Sequence, residues 1–123
     1  MFDYILRNRN TGSYPYTGGL RWQVDLTQAK GQRISQLKVR NASGSYEALV
    51  LDRTYKVVTI DFLANGQDYY SSMKEVTGER RMDVGLDYAE AFLQYVERLP
   101  GTTGQKSLGK LPTADYSTQK FTE

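Results

Sequence analysis

Residues Tyr55–Tyr70 read YKVVTIDFLANGQDYY, and two kinds of sequence meet within them. The first six, Tyr55–Ile60, are aromatic or β-branched except for one lysine, which is typical of a strand covered on both faces. From Asp61 the composition changes to one aromatic ring, a Leu-Ala pair and the turn-forming group Asn65–Asp68. The pattern predicts a buried strand that delivers the ring of Phe62 and a carboxylate into a loop at the end of a sheet, a common location for ligand sites.

Three further strands are predicted before this stretch. Leu20–Leu26 alternates apolar and polar residues, which indicates a half-buried antiparallel strand. Arg33–Arg40 follows at hairpin distance, but its apolar residues do not share one face, which predicts a bulge or a two-sided environment. A short strand is predicted at Tyr46–Leu51, and Tyr55–Ile60 then completes a sheet of about four strands.

Two helices are predicted to pack on this sheet. Phe2–Arg9 carries a short apolar stripe. Gly85–Leu99 carries two adjacent apolar rows and is followed by Pro100-Gly101, with Asp83 as its predicted N-cap. We therefore expect an α+β fold: a mixed, antiparallel-rich sheet of about four strands with one long C-terminal helix and a short N-terminal helix packed on it.

The length of 123 residues fits one domain. Residues 1–101 are predicted to be its folded part, and residues 102–123, rich in Thr, Gly, Lys and Ser, a loosely ordered tail with one short edge strand. The net charge of +2 does not indicate a nucleic-acid or acidic-membrane partner. No signal peptide follows Met1, and no apolar run is long enough to span a bilayer.

The sequence contains no histidine and no cysteine. Histidine is the commonest acid–base catalyst near neutral pH, and a dinuclear metal centre uses imidazole together with carboxylates. The carboxylates of this chain are scattered without converging spacing. We therefore predict no catalytic and no metal-binding residues within it. The mixed charges of Lys74–Arg81 are interpreted as a solvated face, with phosphate binding by Arg80 or Arg81 as the alternative.

The segment Asp61–Tyr69, DFLANGQDY, resembles the nucleoside-binding loop of the bacterial and animal 5'-nucleotidases, N/D-F-L-A-N-G-G-D-G-Y/F. This family includes the UDP-sugar hydrolases and 2',3'-cyclic phosphodiesterases. Tyr14–Arg21, YPYTGGLR, resembles its F-P-Q-V-S-G-L-R, while Asp25-Leu26 and Gly31–Ile34 match its D-L…G-x-R-V. The similarity runs in order from about Phe2 to Leu99, within the C-terminal, substrate-binding domain of that family.

The resemblance implies roles for four loop residues. Phe62 would stack on a nucleobase and Asp68 would accept the hydroxyl groups of a ribose, while Asn65 and Gly66 would complete the substrate-binding loop chiefly by shaping it. From residue type alone, a core aromatic is the favoured interpretation of Phe62, and Asp68 is interpretable as a turn residue that bonds its own backbone.

The resemblance further implies that the chain is the nucleotide- or nucleoside-binding part of a metal-dependent hydrolase. It would position substrate for a separate N-terminal metallophosphatase domain or chain that holds the divalent metals, with no cofactor in this chain. The first half of the binding domain would also lie upstream, and the protein would be exported to the periplasm or cell surface. Gln67 and Tyr69 replace two family glycines, which supports the alternative of a non-catalytic relic or protein-interaction domain that keeps the scaffold without the ligand.

Overall fold

The computed structural model of the chain describes residues 6–7, 9–101 and 106–123. Its four strands form one mixed sheet in the order β3-β2-β1-β4. The strands are β1 (Leu20–Asp25), β2 (Ile34–Arg40), β3 (Tyr46–Ala48) and β4 (Thr118–Thr122), and the α-helices of the described chain after residue 9 are α1 (Asp61–Ala64) and α2 (Tyr88–Arg98). Short 3-10 turns occur at Met73–Glu75, Gly78–Arg80 and Thr113–Asp115.

The core lies under β1, as its alternating sequence predicts. Trp22 and Val24 point to the same face and are buried together with Leu6 and Tyr14. A ring of half-buried side chains surrounds them: Leu20, Leu26, Ile34 and Phe121. Of the predicted N-terminal helix, the structure describes Leu6 and Arg7, which have helical backbone, and Arg9, which lies in a turn; the rest falls outside the described residues.

Local turn chemistry explains the two antiparallel hairpins. After β1, the Asp25 carboxylate accepts hydrogen bonds from the backbone and hydroxyl of Thr27, at 3.0 and 2.6 Å. After β2, the side-chain oxygen of Asn41 accepts from the backbone N–H groups of Ser43 and Ser45, at 3.1 and 3.0 Å. Asp and Asn stabilise tight turns in this way. The bulge predicted in the second strand is present, because the β1–β2 register shifts by one residue at Gln36, which has a φ of 51°.

The fourth strand comes from the tail and not from residues 55–60. β4 pairs in parallel with β1 at the sheet edge, where Trp22 N–H donates to Ser117 O and Leu26 N–H donates to Thr122 O, both at 2.9 Å. The sheet is therefore mixed, with two antiparallel pairs and one parallel pair. The short edge strand expected in the tail is present, whereas the boundary at residue 101 stays a prediction.

The prediction of a buried strand at Tyr55–Ile60 is wrong for this structure. These residues have no regular secondary structure, and Val58 is 94% exposed. A β-rich segment becomes a strand only when neighbouring strands accept its hydrogen bonds, and within the described residues it is not part of the sheet. The third strand is also shorter than predicted, since β3 ends at Ala48.

The long helix is shorter and less buried than its sequence predicts. α2 begins after Asp87, whose Oδ1 accepts from Ala89 N–H at 2.8 Å, so Asp83 is not its N-cap. None of its residues is buried, and Phe92 is 53% exposed. Its two apolar rows therefore do not cover the sheet as expected. No α-helix in the described chain has the length and hydropathy that crossing a membrane requires.

Candidate functional site

The loop predicted to bind ligand begins with the one-turn helix α1 and continues through tight turns to Tyr70. Asn65 N–H donates to Asp61 O at 2.8 Å, Gln67 N–H to Phe62 O at 3.2 Å, and Tyr70 N–H to Gln67 O at 3.0 Å. The loop thus satisfies much of its own backbone by local hydrogen bonds, which lets it stand on the surface without a pairing strand.

The structure separates the four predicted binding residues into two pairs. Gly66 and Asp68 line an open hollow of about 570 Å³ together with Gln67, Tyr69 and Ser71. Phe62 and Asn65 are not among the residues that line it. Phe62 is 50% exposed, so its interpretation as a core aromatic is wrong, and its ring is available at the surface.

The side chain of Asn65 is hydrogen-bonded to Arg81, one of the charged residues predicted to form a solvated face. Arg81 Nη2 donates to Asn65 Oδ1 at 2.8 Å, and its Nη1 donates to Ala64 O at 3.4 Å. This side chain therefore braces the end of α1 from sixteen residues away. Nothing in the local pattern around Arg81 distinguished it from its charged neighbours, because the contact depends on how the intervening turns fold back.

Gly66 shapes the loop through its conformation and its surroundings. Its φ is 84°, a region that disfavours side chains, and a Cβ at this position would lie 3.3 Å from Ser71 Cα. A substitution here would therefore strain the backbone and press on the chain that forms the hollow.

Tyr70 ties the end of the loop to the core. It is 6% exposed, and its hydroxyl donates to Ser13 O at 3.0 Å. Tyr14, which follows Ser13 in the sequence, is buried, and its hydroxyl lies 2.7 Å from Thr118 Oγ1 in β4. Burial raises the pKa of Tyr70, and the negative charge of Asp68 raises it further.

Of the two positions at which this chain replaces a family glycine, Tyr69 keeps a backbone conformation that glycine favours. Tyr69 has a φ of 68° and follows Asp68 at 49°, both in the left-handed region. L-residues with a side chain occupy this region at a cost of roughly 1–2 kcal/mol. The loop therefore keeps the turn conformation that glycine favours while placing the side chain of Tyr69 at the edge of the hollow.

The sequence has no histidine or cysteine, and the described residues contain no group of three or more Asp or Glu side chains placed to hold one ion.

Comparison with known proteins agrees with the motif order. The family model described as the 5'-nucleotidase C-terminal domain matches residues 3–75, which include the whole Asp61–Tyr69 loop. Because the match covers more than half of the chain, this protein belongs to the 5'-nucleotidase C-terminal domain family, and the resemblance found in the sequence is confirmed.

Three relatives illustrate the similarity. The trifunctional nucleotide phosphoesterase protein YfkN of Bacillus subtilis is 29% identical over 101 residues, which are 81% of this chain and 7% of the relative. The NAD 5'-nucleotidase of Haemophilus influenzae is 26% identical over 103 residues, 80% of this chain and 17% of the relative. The human 5'-nucleotidase is 34% identical over 70 residues, 54% of this chain and 12% of the relative.

The chain spans less than a fifth of the length of these relatives. No solved structure matches it significantly.

Proposed function

We propose that this chain is the nucleotide- or nucleoside-binding part of a 5'-nucleotidase-like hydrolase and positions substrate for a separate metallophosphatase domain. The observation that carries the proposal is the family match through the Asp61–Tyr69 loop, in a structure where this loop is solvent-accessible and adjoins a hollow. The three relatives are named as a nucleotide phosphoesterase and two 5'-nucleotidases, which are proteins that act on nucleotides.

In this proposal the loop divides recognition between its two ends. The half-exposed ring of Phe62 stacks on the base, and the exposed carboxylate of Asp68 accepts the ribose hydroxyls. Asn65 acts indirectly, since its side-chain oxygen is already bonded to Arg81, and Gly66 provides the turn between ring and acid.

The loop alone would bind weakly. Stacking of one base on one aromatic ring is worth about 1–3 kcal/mol, and the loss of translational and rotational freedom opposes it. We therefore expect dissociation constants in the millimolar range or above for the isolated chain.

The catalytic metals and the rest of the pocket belong to a partner in this proposal. Apolar side chains that a partner would cover are exposed between residues 57 and 99, among them Val57, Val58, Met82, Tyr88 and Leu93. We further propose, from the family resemblance, that the assembled protein functions in the periplasm or at the cell surface.

Two-dimensional NMR titration of the chain with adenosine and with AMP tests the proposal. Saturating shifts should concentrate on residues 62–69, and the Phe62→Ala and Asp68→Asn variants should each lose them. Phe92→Ala is the matched control, because Phe92 is an equally exposed phenylalanine on α2, at 53% against 50% for Phe62. Absence of shifts at Phe62 and Asp68 at about 10 mM ligand would refute base and ribose recognition by this chain.

The alternative, a relic or protein-interaction domain, is favoured by one specific observation. Gln67 and Tyr69, which replace the family glycines, line the hollow beside Asp68. Under this alternative, adenosine and AMP leave the loop unchanged while a metallophosphatase domain from a relative still binds the chain, which isothermal calorimetry with that domain measures.

A further inference from the structure

The outer face of the sheet carries a pocket to which all four strands contribute. Its volume is about 180 Å³, and Trp22 of the core is among the residues that line it. Its polar lining residues are Arg21 and Gln23 from β1, Gln36 and Lys38 from β2, Tyr46 from β3 and Gln119 from β4. Because the strands come from opposite ends of the sequence, this pocket exists only when the complete sheet has formed.

Two bulges at the same level of the sheet deliver glutamines to this pocket. In β2, Gln36 is an extra residue opposite Trp22 and has a φ of 51°. In β4, the register jumps from Thr118 to Lys120, so Gln119 is likewise the extra residue beside Trp22. Bulges redirect side chains and commonly occur next to functional sites. Here each of them contributes a glutamine to one depression.

Arg21 is fixed in place yet keeps a donor without an acceptor. Its guanidinium lies over the Tyr46 ring, 3.9 Å from the centroid, and its Nη2 donates to Asp115 Oδ1 at 3.1 Å. Its Nε is buried, and no described residue accepts a hydrogen bond from it. A buried donor without a partner is unfavourable, so a ligand that supplies the missing acceptor would gain from it.

Charge and size define the ligand. Arg21 and Lys38 line the pocket, and no carboxylate is among the residues that line it. The Gln36 side chain adds amide hydrogen-bonding capacity. Drug-sized and cofactor ligands need cavities of about 300–1,000 Å³, so this pocket is too small for a whole nucleotide. We propose that it binds a small oxyanion, either inorganic phosphate or a small carboxylate, held by Arg21, Lys38 and the Gln36 amide. Gln119 lines the wall of the pocket without donating to the anion, because its Nε2 already donates to Ala114 O and Tyr116 O.

This proposal is independent of the loop, because no residue of the pocket lies between Asp61 and Tyr70. The chain is titrated with sodium phosphate, with malonate and with sodium chloride at matched ionic strength, while the arginine Nε–H and glutamine amide signals are followed by NMR. Phosphate or malonate, but not chloride, should shift the signals of Arg21, Gln36 and Gln119. Whichever anion produces saturating shifts, phosphate or malonate, shows whether the pocket binds phosphate or a small carboxylate.

Three variants separate binding from general electrostatics. Arg21→Gln and Lys38→Gln should each weaken binding by about tenfold, as expected for loss of a charge-assisted hydrogen bond. Asp115→Asn should strengthen binding severalfold, because it frees Arg21 Nη2 from its competing carboxylate. A merely structural role for this ion pair would not produce tighter binding.

Arg53→Gln is the matched control. Arg53 also lies over a tyrosine ring, 5.7 Å from the Tyr55 centroid, and its Nη1 pairs with Glu47 at 3.3 Å, but it does not line the pocket. Its loss should leave binding unchanged. If both anions act only as chloride does, or if Arg53→Gln weakens binding as much as Lys38→Gln does, the proposal is wrong.

Discussion

Replacing Tyr70 by phenylalanine tests whether the loop is held to the core by one hydroxyl. The ring is 6% exposed and would keep its packing, while the hydrogen bond of 3.0 Å to Ser13 O would be lost. A buried hydrogen bond of this kind contributes about 0.5–1.5 kcal/mol net. The free energy of unfolding of Tyr70→Phe should therefore fall by about 1 kcal/mol. Truncation to alanine should cost about 3–5 kcal/mol, because it also leaves a cavity.

The pH dependence of this difference follows from the pKa of Tyr70. Burial first, and the charge of Asp68 second, raise this pKa above its ordinary value of 10.0. The unfolded chain then releases the proton of Tyr70 at a lower pH than the folded chain does. The stabilisation is therefore complete below pH 10.0 and is lost as the pH rises through the folded pKa. The advantage of the wild type over Tyr70→Phe should shrink across this alkaline range.

Urea unfolding at neutral and alkaline pH measures both effects. Hydrogen exchange of the loop amides should also accelerate in Tyr70→Phe, since the tether restrains local opening. Tyr88→Phe is the control, because Tyr88 lies on the exposed α2 and is 70% exposed. Equal stabilities of Tyr70→Phe and Tyr88→Phe at neutral pH, or a difference that does not change with alkaline pH, would refute the tether.

Three further predictions concern single residues. Asp87→Ala should destabilise α2 by about 1 kcal/mol and lower its helical chemical shifts, because it removes the N-cap. The control Asp83→Ala loses a hydrogen bond of the same 2.8 Å length, from Gly85 N–H, but outside the helix, so it should leave these shifts unchanged. Equal effects of the two variants would contradict the N-cap assignment. Tyr69→Gly should change the free energy of unfolding by less than about 0.5 kcal/mol, because the relief of backbone strain at a positive φ offsets the larger entropy of glycine in the unfolded chain. If adenosine binds in the hollow, the same variant should bind it more tightly. Asp25→Asn should make the free energy of unfolding depend less on pH in the acid range. Hydrogen bonds from the side chains of Thr27 and then Gln28 lower the pKa of Asp25 below its ordinary value of 3.8. The carboxylate therefore stabilises the folded chain above pH 3.8, and this stabilisation is lost as the pH falls through the pKa of the folded state. An unchanged acid limb in urea unfolding of Asp25→Asn would contradict this linkage.

Local signals predicted the hairpin part of the sheet well. Alternation identified β1, and the hairpin-length gap before Arg33 correctly indicated that the second strand pairs back on it. The mismatched parity of Ile34 and Leu37 correctly indicated the bulge at Gln36. These features depend on residues close in sequence, so a sequence pattern is sufficient to find them.

The features that the sequence did not predict depend on distant partners. β4 lies about a hundred residues from β1 and is short and polar, so nothing local marked its parallel pairing. The brace from Arg81 to Asn65 and the pocket around Arg21 also require elements that meet only in the folded chain. The sequence indicated that Arg81 is an exposed charge, which it is, but not what it contacts.

The wrong predictions share a different cause, which bears on the proposed function. Tyr55–Ile60 and the apolar rows of α2 have sequences suited to burial, yet both are exposed in the described chain. In the sequence the loop lies between these two exposed elements, and the Tyr70 hydroxyl and the Arg81 brace are two of the contacts that restrain it. A partner that covers both elements would order the loop further and reduce the entropy lost when ligand binds. Nucleoside affinity should therefore rise when the metallophosphatase partner is present, even for a Phe62→Ala variant whose own ring contact has been removed.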